Sequence, residues 1–487
     1  GVIEVDVSVR ECTKCGKRGA QIRCTCGGRR ELIKDDSGKI QGPSEQKLQM
    51  ALLYRQALKN LGEGGNVKKV KGVKGLLTKK KTPEGLEKGI LRAKHDIWVF
   101  KDGTCRYDMT DLPLTHFKPG EIGLSVEKAH ELGYTTDIKG NELKKKDQIV
   151  ELKPQDIIVS KEGGKYLQKV ANFVDDLLVK YYGLDSFYDI EKRKDLIGEL
   201  IVGLAPHTSG GVLGRLIGFH KGRACYAHPY FHAAKRRNCD GDEDCVMLLM
   251  DGLLNFSQDF LPEKRGGKMD APLVLTTKIN PDEIDSEAHN VDTLNRYPLE
   301  FYTKTFDYPN PKELIDVMET VEKRLGAKEQ YENFGFTHDT TNISEGPIAS
   351  KYTRLNKMTE KMEAQLQVAK MIRAVDENDV VGRVIEDHFI PDLIGNLNKF
   401  CVQEIRCTSC NRKFRRPPLD GKCSCGGNLT LTVHKGGVKK YLKTSLDMVE
   451  RFDLSPYLQQ RIEQIGLQID SLFENDKVST PTLEEFC

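Results

Sequence analysis

Long apolar runs are missing from this chain. No stretch of its 487 residues approaches the roughly eighteen consecutive apolar residues of a membrane span, so no membrane-crossing helix is expected. The opening, G-V-I-E-V-D-V, carries no secretory signal pattern and no initiator Met. It enters at once in strand-like alternation, from which we expect a piece of a larger polypeptide. Net charge is almost absent: 75 Lys/Arg against 72 Asp/Glu leave +3, so the molecule as a whole is not a polycation. No Gly-Lys-Ser/Thr follows the glycine-rich stretch at 206–219, which excludes a Walker loop. What remains is a globular composition, 38% hydrophobic and 30% charged. Its length predicts roughly two to four domains.

The most informative stretch is K-R-R-N-C-D-G-D-E-D-C, Lys235 to Cys245. Asp240, Asp242 and Asp244 recur at every second position, and Asn238 extends the series. Lys235, Arg236 and Arg237 precede them, Gly241 permits a tight turn, and an apolar run follows. Carboxylates beside cations suit Mg²⁺, which takes one or two protein carboxylates and leaves its other positions to water and phosphate. That combination points to phosphoryl or nucleotidyl transfer. An EF-hand is disfavoured: counted from Asp240, Cys245 stands where the loop needs Gly and Asp251 where it usually has Glu. A solvated acidic turn is the plainer alternative.

Eight of the 14 cysteines fall into two groups, Cys12, Cys15, Cys24, Cys26 and Cys407, Cys410, Cys423, Cys425. Each pairs a C-x₂-C with a C-x-C-G-G and offers the four thiolates of a structural zinc ribbon. Paired redox cysteines are the alternative. Two metal-type groups favour a reducing, intracellular compartment, with most remaining cysteines as packed thiols. Between residues 64 and 94, ten Lys/Arg face two Glu, a patch suited to a polyanion or simply to a solvated loop.

Periodicity predicts a helix from Ser44 to Leu61 with Ser44 as N-cap, and a hairpin over His95–Asp108 turning at Asp102-Gly103. A short helix closed by Gly133 follows, then two strands in 148–160 and a helix over Tyr166–Tyr182. The loop with His207, Thr208 and Ser209 reads as a turn or as a phosphate approach. Pro229 argues against a helix aligning His228 with His232, which we take as packing or substrate contacts. Further helices are expected at Glu313–Leu325, Met358–Val375, Val380–Phe389 and after Ser455-Pro456, with a polar tail from Glu474.

Several longer stretches carry a resemblance. They are K-G-I-L-R-A-K-H-D (Lys88 to Asp96), L-T-H-F-K-P (Leu114 to Pro119), G-L-A-P-H-T-S-G-G (Gly203 to Gly211), and A-H-P-Y-F-H-A-A-K-R-R-N-C-D-G-D-E-D (Ala227 to Asp244). With M-D-A-P-L-V-L-T-T and D-H-F-I-P-D-L-I-G-N-L, they make the chain resemble the large subunit of the archaeal family D DNA polymerase over nearly all its length. The resemblance implies a core of two double-psi β-barrels, as in multisubunit RNA polymerases, part of one being expected before Gly1. It implies catalytic carboxylates at Asp240 and Asp242, Asn238 beside them, and Asp244 in the place of a third aspartate. Lys235, Arg236 and Arg237, with His207, would contact phosphate, and Lys79, Lys80 and Lys81 would follow the DNA backbone. The C-x-C pairs depart from the family's commoner C-x₂-C.

The resulting expectation is an α+β chain: a double-psi β-barrel catalytic core with zinc ribbons and a helical C-terminal region. The first ribbon with flanking strands occupies 1–43, a helix and basic linker 44–92, and the barrel domain with a helical insertion 93–300. A helical accessory domain spans 301–400, the second ribbon 401–445, C-terminal helices 446–473 and a flexible tail 474–487. The implied activity is Mg²⁺-dependent addition of deoxynucleotides from dNTPs to a primer 3′ end on template DNA. The resemblance further implies a heterodimer with a small 3′-5′ exonuclease subunit, no membrane association, and a cytoplasmic, nucleoid-associated location. It also implies a sliding-clamp contact by the tail. Leu483 and Phe486 lie three apart there, though Thr480 stands for the usual Gln and Cys487 for a second aromatic. An RNA polymerase or primase-like enzyme and a non-catalytic zinc-ribbon scaffold are the alternative readings.

Overall fold

The computed structural model describes residues 2–7, 9–19, 24–38, 44–64, 67, 69–73, 84–236, 241–261, 269–336, 342–345, 348 and 351–474. The chain divides into two compact units, 1–349 and 350–487, the division falling within the segment expected as a helical accessory domain.

The first unit is built on a closed ring of six strands: β1 (Tyr107–Pro113), β2 (Asp156–Ser160), β3 (Leu200–Leu204), β4 (Gly210–His220), β5 (Ala224–Ala227) and β6 (Glu243–Leu248). Around the ring the order is β3-β6-β1-β5-β2-β4, and the β3–β4 pairing completes it. Two neighbours are parallel, β1 with β5 and β2 with β4; the rest are antiparallel. Closure leaves no unpaired edge within the ring. A seventh strand, Val274–Thr276, adds in parallel to β4. Every residue of β2 is buried, as expected for a strand covered on both faces. Helix α1 (Lys161–Asp176) follows β2 directly, with the Ser160 hydroxyl accepting the Gly163 N–H at 2.9 Å as its N-cap. Leu167, Val170, Val174 and Leu177 are fully buried along one side, as their spacing predicts.

A short helix, α2 (Pro229–Ala234), packs against the ring with Tyr230, Phe231, His232 and Ala233 buried. Phe231 packs against two glycines on the neighbouring, paired strands β3 and β4. A Cβ on Gly203 would lie 2.8 Å from the Phe231 ring, and one on Gly214 would lie 2.9 Å from it. Neither position accepts a side chain while the ring is there. Burying such an aromatic contributes about 1.5–3 kcal/mol.

Several local expectations are overturned. Pro229 does not prevent a helix; it occupies the first helical position, where the missing N–H has no partner to lose, and His228 caps it by accepting the Tyr230 N–H at 3.2 Å. Ser44–Gln49 is a strand, because it pairs antiparallel with Val2–Val7, and the helix begins only at Met50. Long-range pairing overrides local periodicity there. Asp102 and Gly103 do turn the chain, but only the outgoing arm, β1, joins a sheet. The stretch expected as helix at Glu313–Leu325 is two short 3₁₀ turns, interrupted where Thr320 bridges to Asp292 and Val321 packs in the core.

The second unit packs helices Met358–Met371, Glu377–Val384, Ile390–Val402, Leu442–Arg451 and Pro456–Phe473 around one core that includes Leu366, Ile385, Leu393, Ile462 and Ile469. Ser455 caps the last helix, accepting the Leu458 N–H at 3.3 Å. Its Leu458, Ile462, Ile465 and Ile469 are buried, whereas Leu472 is 44% exposed. No helix among the described residues is long and apolar enough to cross a membrane.

Candidate active site and metal centres

The acidic loop joins α2 to β6 at one end of the ring. Register places it: Thr110 of β1 faces Glu243, and Leu204 of β3 faces Cys245. The β3–β4 loop carrying His207 therefore emerges at the same end. Gly241 takes φ +109, the turn conformation its sequence position predicts. Arg236 is in the left-handed region, φ 60, at the place after a helix where glycine is usual. Its side chain is exposed. Asp242 is half-buried, and its carbonyl accepts the Asp111 N–H at 2.7 Å.

Beneath the loop lies a buried ionic cluster. Lys235, 1% exposed, donates to Asp111 Oδ2 at 2.8 Å and to Asp244 Oδ2. Asp111 Oδ2 also lies 3.2 Å from His232 Nδ1. His232 Nε2 must carry its hydrogen, because its other neighbour is the Leu112 carbonyl oxygen, 3.0 Å away, which can only accept. Burial works against the Lys235 charge, but Asp111 and Asp244 outweigh it and hold the ammonium above its ordinary pKa. Burial, then the neighbouring Asp111, pushes the Asp244 carboxyl up to about 7, against the pull of Lys235. Burial also opposes the Asp111 charge, yet His232, Asp244 and Lys235 bring its pKa below the ordinary aspartate value. Removing one partner of such a pair strands a buried charge, at about 3–5 kcal/mol.

This geometry does not place Lys235 where a phosphate contact needs it; its ammonium is turned inward onto carboxylates. Asp244 likewise points inward. His207 is 80% exposed at the side chain, with its N–H donated to Asp270. Asp270 also binds Lys101, while its carbonyl accepts Arg106 Nη2 at 3.0 Å. Arg237, Asn238, Asp240, Lys79, Lys80, Lys81, Leu483 and Phe486 lie outside the described residues. Of the other cations in the basic stretch, Arg92 is fully buried on Glu84 at 2.7 Å, Lys94 binds Glu63 at 2.8 Å, and Lys71 binds Asp96 at 2.8 Å. The charge surplus counted along the sequence is thus partly spent internally.

Asp111, Arg106 and Asp270 escape a motif search, and His232 is marked in the sequence only by its spacing from His228. The one available signal for Asp111 was its place in Y-D-M-T-D-L-P, two residues from Met109 and so on the same, inward face of a strand.

The cysteine groups meet as their spacing requires. The ligand atoms of Cys12, Cys15, Cys24 and Cys26 all lie within 4.8 Å of one another, and so do those of Cys407, Cys410, Cys423 and Cys425. Cys12–Cys26, Cys15–Cys24, Cys407–Cys425 and Cys410–Cys423 Sγ separations are each 3.5 Å. Four sulfurs about 2.3 Å from a tetrahedral Zn²⁺ stand roughly 3.8 Å apart, so both groups suit a closed zinc site. The Cys26 backbone N–H, with the neighbouring thiols, holds the Cys24 thiol down to about 6. The Cys410 backbone does the same for Cys407, also to about 6. Thiolate is the form a metal takes. The second glycine of each C-x-C-G-G is explained by proximity: a Cβ on Gly28 would sit 2.8 Å from Cys12 Sγ, and one on Gly427 2.7 Å from Cys407 Sγ. Among the described residues these two are the only clusters with metal-ligand spacing, and His228 and His232 form none. The described cysteines are all free; Cys105, Cys225 and Cys245 are buried, whereas Cys401 is exposed.

Residues 63–361 match the family described as DNA polymerase II large subunit DP2, catalytic domain. The chain is 54% identical over 503 residues to the DNA polymerase II large subunit of Methanosarcina barkeri, covering 100% of this chain and 44% of that protein. Against the protein of the same name from Archaeoglobus fulgidus it is 53% identical over 503 residues, with 100% and 44% covered. Against that of Pyrococcus furiosus it is 53% identical over 497 residues, with 97% and 39% covered. The chain spans less than half the length of these relatives.

Proposed function

Because the chain belongs to the DNA polymerase II large-subunit family, we propose that it carries the catalytic end of a template-directed DNA polymerase that adds deoxynucleotides to a primer 3′ end. The observation that carries this reading is the split among the aspartates. Asp244 is drawn inward onto Lys235, while Asp242 stays half-buried on a glycine turn at the rim of the ring. Oxygen donors at a rim suit Mg²⁺, and Asp242 with Asp240 would hold it. Bound there, Mg²⁺ lowers the pKa of the attacking hydroxyl and neutralises charge on the leaving pyrophosphate. The chain's own part is to hold those carboxylates still and to set cations beside the phosphates. Arg236, exposed at the loop entrance, and Arg237 are the cations for that role; His207 is a lesser contact.

The closed ring with two parallel strand pairs supports the double-psi form of barrel. Zinc in the two cysteine groups would be structural, since four thiolates leave no open position. We extend the reading to a small exonuclease subunit as partner, to action in the cytoplasm at the nucleoid, and to a tail that binds a sliding clamp through Leu483 and Phe486.

Primer extension by the full-length assembly tests the central claim. Incorporation of dNTPs, lost without Mg²⁺, is expected; incorporation of rNTPs alone would replace the reading with an RNA polymerase. Deleting residues 482–487 should leave distributive synthesis unchanged and remove clamp stimulation, which acts by tethering. Undiminished stimulation would end the clamp assignment.

A further inference from the structure

We propose that Lys235 is a positioning residue: it closes the neck of the acidic loop and so fixes where Asp242 stands. The proposal rests on the polymerase reading above.

The loop leaves α2 at Lys235 and re-enters the ring at Asp244, and the Lys235 ammonium binds Asp244 directly across those two ends. It also binds Asp111 Oδ2 at 2.8 Å, on neighbouring β1. Asp111 then touches the loop a second time, through its main-chain N–H to the Asp242 carbonyl at 2.7 Å. One residue on a rigid strand therefore holds both the cation at the loop's entrance and the backbone of the proposed metal ligand. His232 lies beside Asp111, its Nδ1 3.2 Å from Asp111 Oδ2. The Lys235 stem runs between the Phe231 ring, 5.3 Å from the ammonium, and the bare face of Gly203, where a Cβ would lie 3.1 Å from the stem. With 1% exposure, this ammonium has no path to a phosphate in the loop geometry described. A lysine in a run of three cations would otherwise be counted with its neighbours as an anion contact. Here the first cation of the run acts on the protein, and the exposed second, Arg236, is left for substrate.

The test uses the full-length assembly carrying Lys235→Met, with Asp244→Asn and Asp111→Asn as shape-preserving companions. Turnover, the Mg²⁺ concentration for half-maximal rate, primer-template affinity over a salt series and Mn²⁺ affinity without nucleotide are measured. Misplacing a reacting group by about 1 Å costs roughly 10²-fold. Lys235→Met should therefore lower kcat by about that factor and raise the Mg²⁺ requirement, while DNA affinity and its salt slope stay as in the parent. The two Asn variants, each keeping an acceptor for Lys235, should move the same quantities less. Weaker DNA binding with a salt slope reduced by about one would make Lys235 a phosphate contact and overturn the proposal. Unchanged kcat and metal requirement in a folded Lys235→Met protein would overturn it too. If Lys235→Met does not fold, the Asn variants decide: no shift in Mg²⁺ requirement in either rejects the clamp. An assembly that extends no primer defeats the polymerase reading instead, and Mn²⁺ affinity, expected to fall in Lys235→Met, still judges the clamp.

Discussion

The cysteine groups and the barrel neck solve one problem in opposite ways. Each crowds acidic groups within a few ångströms. In the cysteine groups four sulfurs face one another; Arg30 Nη2 donates to Cys24 Sγ at 3.4 Å in the first, and a bound metal would supply the remaining positive charge. In the neck, Asp111 and Asp244 are brought together around an ammonium built into the chain. Glu151 shows a third solution. Half-buried, with its Oε2 accepting the Asn333 N–H at 3.1 Å, its carboxyl is pushed up to about 7 by burial. A proton takes the place of a cation there as pH falls through about 7. The difference teaches which parts of the molecule depend on what is dissolved around it: the ribbons on metal, the neck on its own ammonium with Asp244 still sensitive to pH near 7, and Glu151 on pH alone.

The sharpest break concerns Asp242, a proposed metal ligand at the rim of the ring. Asp242→Ala should lower nucleotide addition by at least about 10³-fold, at the scale of a lost electrostatic stabiliser, with melting temperature and DNA binding nearly unchanged. Near-parental extension rates would remove Asp242 from the metal site.

Next in size is metal removal. About two zinc ions per chain are expected by metal analysis, one for each closed Cys₄ site. Cys407→Ser should destabilise the second unit by several kcal/mol, on the order of a lost structural ligand, and leave the barrel's melting transition in place. Iron, or disulfides under reducing conditions, would show that the thiolates are balanced differently.

A smaller effect belongs to Glu151. Its folded pKa, about 7, is above the ordinary glutamate value. Between those two values the folded state binds more protons than the unfolded, so its contribution to stability is full at low pH and is lost as pH rises through 7. Glu151→Gln should flatten the fall in stability between pH 5 and pH 8 by roughly 1–2 kcal/mol. An unchanged pH profile in thermal unfolding would mean that Glu151 is paired in solution.

The smallest effect is on the basic stretch. Replacing Lys79, Lys80 and Lys81 with Ala should weaken binding to all DNA sequences alike and flatten its salt dependence by roughly one unit per lost phosphate contact. An unaltered slope would leave the stretch as a solvated loop.

What the sequence made legible was whatever depends on short spacing. The cysteine knuckles, the Gly241 turn, the buried side of α1 and the Ser455 cap all follow from residues a few positions apart. The neck did not, because Asp111 and Asp244 meet only through strand pairing. No spacing rule could reveal that Lys235 faces inward while Arg236 faces out. The Ser44–Gln49 strand was misread for the same reason: its partner lies at the other end of the ribbon. Pro229 misled in a different way, since a residue that breaks a helix interior is well suited to a first turn.

The closure of the ring bears on how the chain comes to fold. Adjacent β3 and β4 can find each other early, but β1 must wait for β6, more than a hundred residues later in synthesis. Such distant pairings form slowly, since the entropy of closing a long loop precedes any reward. The carboxylate cluster straddles that last seam. A partly made or partly opened barrel therefore has no assembled neck, and its acidic loop is a loose segment. Nucleotide addition becomes a report on completed topology, and refolding experiments should see it return only with the slowest phase.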